Sequence, residues 1–159
     1  MKQLIFIFLF LGSLSLHACN SAPGEDKGTG GSNDGQVINL TAESFQKLVW
    51  DYKKNPQEWV FKGDQPCIID FYADWCRPCK MVAPIMAELS MEYKGKIRIY
   101  KVNTDEQREL AGLFKISSIP AVMFIPKSEK PQMSVGAMQK ATYLDMIQKL
   151  LLVKNNLKK

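Results

Sequence analysis

The chain has 159 residues with one histidine and four cysteines, and 21 Lys and Arg against 16 Asp and Glu give a net charge of +5 at pH 7. The length suits a single folded domain, and one histidine with no second CxxC pair leaves too few ligands for structural zinc, which takes about four. Much of the positive excess sits in Lys149, Lys154, Lys158 and Lys159, and no basic motif marks nucleic-acid binding.

Met1-Lys2-Gln3 leads into an apolar run from Leu4 to Leu16 and then small residues, the outline of a secretory signal. The run falls short of the ~20 apolar residues that an ordinary membrane-spanning helix needs. Leu16-His17-Ala18-Cys19 resembles a bacterial lipobox, in which cleavage before the cysteine leaves its thiol to carry lipid. Residues 1–18 are therefore expected to be a lipoprotein-type signal and Cys19 a lipidation site, with plain secretion or an uncleaved anchor as the alternatives. Lipid on Cys19 would tie the protein to a membrane face, each buried methylene contributing ~0.8 kcal/mol. Residues 19–35, rich in Gly, Ser and Asp and without a large apolar side chain, read as a flexible tether. Residues 36–159 read as the folded domain, exported to the cell envelope or periplasm.

Within that domain, QVINL at 36–40 predicts a short strand. Thr41 is placed to cap a helix in which Phe45, Leu48, Val49 and Tyr52 recur at helical spacing. WVFKGD at 59–64 predicts a strand and a turn. CIIDFY at 67–72 reads as a strand buried on both faces, broken by one carboxylate, Asp70. After a CxxC pair, Cys76 and Cys79, the residues Met81, Val82, Ile85, Met86, Leu89 and Tyr93 mark a long helix ending near Gly95. Pro84 is expected to kink it. Residues 97–102 predict a strand, and Asn103-Thr104-Asp105 a cap for a helix through Phe114. Residues 121–125 and 133–135 read as a strand and its hairpin partner, and residues 142–153 as a closing helix. The order βαββαβαββα implies an α/β fold, a mixed central sheet flanked by helices on both faces.

With Cys19 assigned to lipid, three cysteines remain. Outside the cytosol the close pair Cys76 and Cys79 invites a disulfide. Cys67, at the start of the buried strand, reads as an inert core thiol.

WCRPCK at 75–80, IIDFYA at 68–73, Lys101 within YKVNTDE and IPA at 119–121 together resemble a thioredoxin. The likeness extends over almost all of residues 36–153. It implies the thioredoxin fold and thiol–disulfide exchange without metal or cofactor. It also implies a monomer acting on disulfide-containing client proteins and re-reduced by an electron donor. Cys76 would be the nucleophile, at the exposed N-terminal end of a helix whose dipole favours its thiolate. Cys79 would be the resolving thiol, more buried and one turn in, and the two would form the redox-active disulfide. Asp70, its acidity weakened by burial, would exchange a proton with Cys79, and Lys101 would be its partner. Ile119-Pro120 matches the cis-proline loop. Trp75, Ile119, Val135, Gly136 and Ala137 would form a docking patch, with Gly136 allowing a partner backbone to come close.

The sequence also departs from the family pattern. Arg77 stands where Gly is common, Tyr72 where Trp is frequent, and Ser118 and Ala121 where Gly and Thr are usual. Residues 53–65 are longer than in small cytosolic forms. Pro78 fits a reductant, whereas Arg77, by stabilising the Cys76 thiolate, moderates it. The expected function is reduction of protein disulfides outside the cytoplasm. The alternatives are a thioredoxin-fold binding or chaperone module in an envelope complex, or a disulfide oxidase or isomerase.

Overall fold

The structure, a computed structural model, describes residues 35–152. The readings made for the signal, Cys19 and almost all of the tether, and for Lys154, Lys158 and Lys159, lie outside the described residues. In chain order the elements are β1 (Val37–Asn39), α1 (Ala42–Leu48), β2 (Cys67–Tyr72), α2 (Cys79–Glu92) and β3 (Arg98–Asn103), followed by α3 (Arg108–Leu113), β4 (Ala121–Ile125), β5 (Gln132–Val135) and α4 (Lys140–Met146). A π-helical stretch, Ile147–Leu152, continues α4.

The sheet order is β1-β3-β2-β4-β5. β3 runs parallel to both β1 and β2, while β4 runs antiparallel to β2 and β5. Alternate residues of a strand point to opposite faces, and both faces of β2 are covered. Cys67, Ile69 and Phe71 join a core with Phe45 of α1 and Leu110 of α3. Ile68 faces the other way, against Val82, Met86 and Leu89 of α2 and Tyr143, Ile147 and Leu151 of the last helix. This double burial explains the nearly unbroken apolar run of CIIDFY. It also puts Asp70 on the α2 face, in line with Ile68.

Local signals fixed several boundaries. The Thr41 hydroxyl accepts the Ser44 N–H at 3.2 Å, and the Ser44 hydroxyl accepts the Thr41 N–H at 2.9 Å. That reciprocal box starts α1 where Thr41 was expected to start it. α2 runs unbroken through Pro84.

Three expectations fail. Residues 59–64 form no strand: Trp59 packs against Trp50 with ring centroids 5.0 Å apart and the rings tilted by 49°, and the Lys62 N–H donates to the Val49 carbonyl. The Phe61 ring folds back over Gly63, where an added Cβ would lie 2.4 Å from it. The segment thus wraps over the α1 side instead of joining a sheet edge. Asn103 does not cap α3, which begins at Arg108. Asn103 ends β3, and its side-chain oxygen accepts the Asp105 N–H at 3.0 Å in a turn that delays the helix. The closing helix starts two residues early, at Lys140, where the ammonium pairs with Glu88 and Glu92 of α2, each at 3.1 Å.

Candidate active site

Cys76 and Cys79 form a disulfide at the C-terminal end of β2 and the start of α2. Cys79 opens the helix instead of lying one turn inside it. The Cys79 N–H points at the Cys76 sulfur, 3.2 Å away. A free N–H at the first turn of a 14-residue helix adds to the helix dipole and favours negative charge on that sulfur once the bond is reduced. In the oxidised pair each cysteine is 3% exposed, so Cys76 is less accessible than the expected exposed thiol. Ala73, Tyr72 and Ile119 pack around the two sulfurs.

The surroundings are open and apolar. Trp75 is 70% exposed and Val135 61%. The Trp75 indole N–H donates to Asp105 at 2.8 Å, which fixes the ring beside Cys76. The Asn103 amide reaches the Asp74 and Glu106 carboxylates at 3.3 and 3.4 Å. These links were missed in the sequence, because Asn103-Thr104-Asp105 reads equally well as a helix start. Arg77 and Pro78 are exposed at the tip of the turn.

The Ile119-Pro120 bond is cis, Pro120 is buried, and its carbonyl accepts the Gly136 N–H at 2.8 Å. Gly136 has φ +95°, a left-handed conformation that favours glycine, and the space beside its Cα is open. Its first requirement is therefore conformational, and the open space is what a partner's backbone would use. Val135, Gly136 and Ala137 thus lie along the edge beside the cis-proline loop, with Ala121 and Val135 paired across the hairpin.

Behind the disulfide lies a cavity of about 270 Å³, lined by Asp70, Tyr72, Cys79, Lys80, Lys101 and Met86 among others. Asp70 is 4% exposed, and its Oδ1 has no hydrogen-bond partner. Burial pushes its carboxyl up to about 7, against a smaller opposing effect of the Lys101 charge. Asp70 and Lys101 are partners in the β2–β3 register. No ion pair joins them among the described residues; the Lys101 ammonium lies instead 5.5 Å from the centre of the Tyr72 ring. Cys67 is buried in the other core, and burial holds its thiol far above the usual range, as an inert thiol requires. Among the described residues no cluster of three or more His, Cys, Asp or Glu could hold a metal ion.

Residues 36–149 match the family model described as Thioredoxin. The chain is 46% identical over 111 residues to the thioredoxin of Borreliella burgdorferi, covering 70% of this chain and 94% of the relative. It is 38% identical over 111 residues to that of Rickettsia felis, covering 70% of this chain and 95% of the relative. With the spinach (Spinacia oleracea) chloroplastic M-type thioredoxin it shares 44% identity over 95 residues, 60% of this chain and about half, 52%, of the relative's length. The crystal structure of chloroplastic thioredoxin z superposes with a TM-score of 0.59 at 21% identity, covering 72% of this chain and 94% of the other, a likeness of fold. The mixed sheet, the paired cysteines at the head of α2 and these likenesses agree, and the chain belongs to the thioredoxin family of protein thiol–disulfide oxidoreductases.

Proposed function

We propose that the protein reduces protein disulfides outside the cytoplasm while tethered to a membrane by lipid on Cys19. The observation that carries the chemistry is the Cys79 N–H aimed at the Cys76 sulfur beside an open apolar rim. Reduced Cys76, as thiolate, attacks one sulfur of a client disulfide. A Cys76–client bond forms, and the second client sulfur leaves as a thiolate that takes up a proton. Cys79 then attacks the Cys76 sulfur, losing its proton to Asp70 across the shared cavity. The Cys76–client bond breaks, the client leaves as a dithiol, and the two cysteines are left as the disulfide seen here. Two electrons pass to the client, and a separate donor must return them before the next cycle.

The client's chain docks on Trp75, Ile119 and Val135, by strand addition to the Ile119 backbone beside the cis-proline. Lys101 serves as a nearby charge that partly offsets the effect of burial on Asp70. The export part of the reading is supported by the apolar run at 4–16 and Leu16-His17-Ala18-Cys19. Arg77 favours a less reducing poise than glycine would, which keeps disulfide formation or isomerisation as the second reading.

Trapping tests the proposal in place. A full-length Cys79→Ser variant expressed in its own cell should accumulate mixed disulfides with envelope proteins, released by dithiothreitol. Adducts confined to cytoplasmic proteins would overturn the extracytoplasmic assignment, and absence of adducts would overturn the assigned resolving thiol.

A further inference from the structure

Asp70 and Lys101 are paired in adjacent parallel strands with their side chains on one face, the usual setting for an ion pair. The pair is not made. The Asp70 Oδ1 is left without a partner, and the lysine turns to the Tyr72 ring at 5.5 Å, within the ~6 Å at which an aromatic face attracts a cation. Tyr72 lies two residues beyond Asp70 on β2 and therefore on the same face, nearer the disulfide end. All three side chains border the cavity that also reaches Cys79.

We propose that Tyr72 is a positioning residue whose ring holds the Lys101 ammonium off the Asp70 carboxyl and so keeps that carboxyl unpaired beside Cys79. The inference rests on the proton-transfer role proposed for Asp70 and adds the residue that sets its acidity. A lysine seated on the carboxylate would neutralise it as a base and occupy its unpartnered oxygen. A lysine on the ring contributes only its more distant charge.

Other groups around Asp70 do not substitute for this arrangement. Cys79 and Lys80 from α2 and Asp74 from the turn after β2 border the same cavity. From α4, Tyr143 senses the Asp70 charge, and its phenol is pushed up chiefly by burial. From β4, the register partner is the uncharged Val122. The Tyr72 phenol is itself pushed up, first by burial and then by Asp74, Glu106 and Asp70, so it stays neutral while Asp70 titrates.

The test is a carbon-NMR titration of the Asp70 carboxyl in the oxidised protein, where neither Cys76 nor Cys79 titrates, with Asp70→Asn identifying the signal. The parent midpoint should lie near 7. Tyr72→Leu should lower it by about half a pH unit or more as the freed ammonium folds onto the carboxylate. Tyr72→Met supplies a second ring-free side chain should leucine disturb folding. Tyr72→Phe, which keeps the ring, should titrate like the parent, and in a Lys101→Met background Tyr72→Leu should have no effect. An unchanged or raised midpoint in the ring-free variants, or an equal fall in Tyr72→Phe, would overturn the inference. The titration reads the placement of Lys101 whether or not Asp70 moves a proton. That separate role is tested by Asp70→Asn kinetics at neutral pH, where an undiminished rate of mixed-disulfide resolution would remove it.

Discussion

Asp70 combines deep burial, an unpartnered oxygen and a cavity shared with Cys79. Its pKa of about 7 in the fold lies above the ordinary 3.8, so the folded protein holds this proton to a higher pH than the unfolded chain does. The resulting stability is fully present below about pH 4 and is lost as pH rises through 7, where the buried charge forms. Urea unfolding of the oxidised protein should show that decline. Asp70→Asn should flatten it and exceed the parent at pH 8 by on the order of a few kcal/mol. The same substitution should slow release of a trapped client roughly tenfold or more at neutral pH. At the exposed Arg77, loss of a cation beside Cys76 should make the pair more reducing. In a glutathione or dithiothreitol buffer Arg77→Gly should lower the potential by roughly 10–30 mV, since each pKa unit of the thiol corresponds to ~30 mV. An unchanged or higher potential would show that Arg77 has no such effect. Asp70 was legible in the sequence because it is the one carboxylate in an apolar strand. The turning of Lys101 onto Tyr72 was not, because a register fixes which side chains are neighbours but not which of two neighbours a flexible lysine chooses.

The elements that the sequence declared most clearly are those with strong local chemistry. Thr41 and Ser44 supply a complete cap, and the helical recurrence from Met81 to Tyr93 matches α2. Residues 59–64 form no strand, although a short apolar run such as Trp59-Val60-Phe61 serves a strand or an aromatic-anchored loop equally well. Here the Trp50–Trp59 contact, made across a loop, decided between them. Asn103 was misread because an amide that can cap a helix can also close a turn. Ile68 and Ile69 are both fully buried, on opposite faces. Ile68→Ala and Ile69→Ala should each cost about 2–5 kcal/mol in denaturant unfolding. A one-faced strand would show that cost at only one of the two positions.

For the whole molecule, the mixed sheet carries the disulfide beyond the C-terminal end of its central strand, where β2 leads into α2, and brings the cis-proline loop and the β5 edge to the same end. The α/β class and the mixed sheet could be read from element order, although that order counted residues 59–64 as a strand and left the strand order β1-β3-β2-β4-β5 open; the CxxC was legible because its flanking residues are local to it. The convergence of residues 75–79, 119–120 and 135–137 was foreseen through family resemblance; spacing alone does not bring segments so far apart in the chain together. The proposed lipid tether at Cys19 also has a direct test. In the native cell, Cys19→Ala should move the protein from the membrane fraction to a soluble one and abolish incorporation of labelled fatty acid, and retained lipid labelling would contradict the assignment of Cys19. The most direct measurement of all is insulin reduction driven by dithiothreitol and followed by turbidity. The parent should shorten the lag strongly and Cys76→Ser should match the uncatalysed rate, whereas activity retained in Cys76→Ser would contradict exchange through this pair.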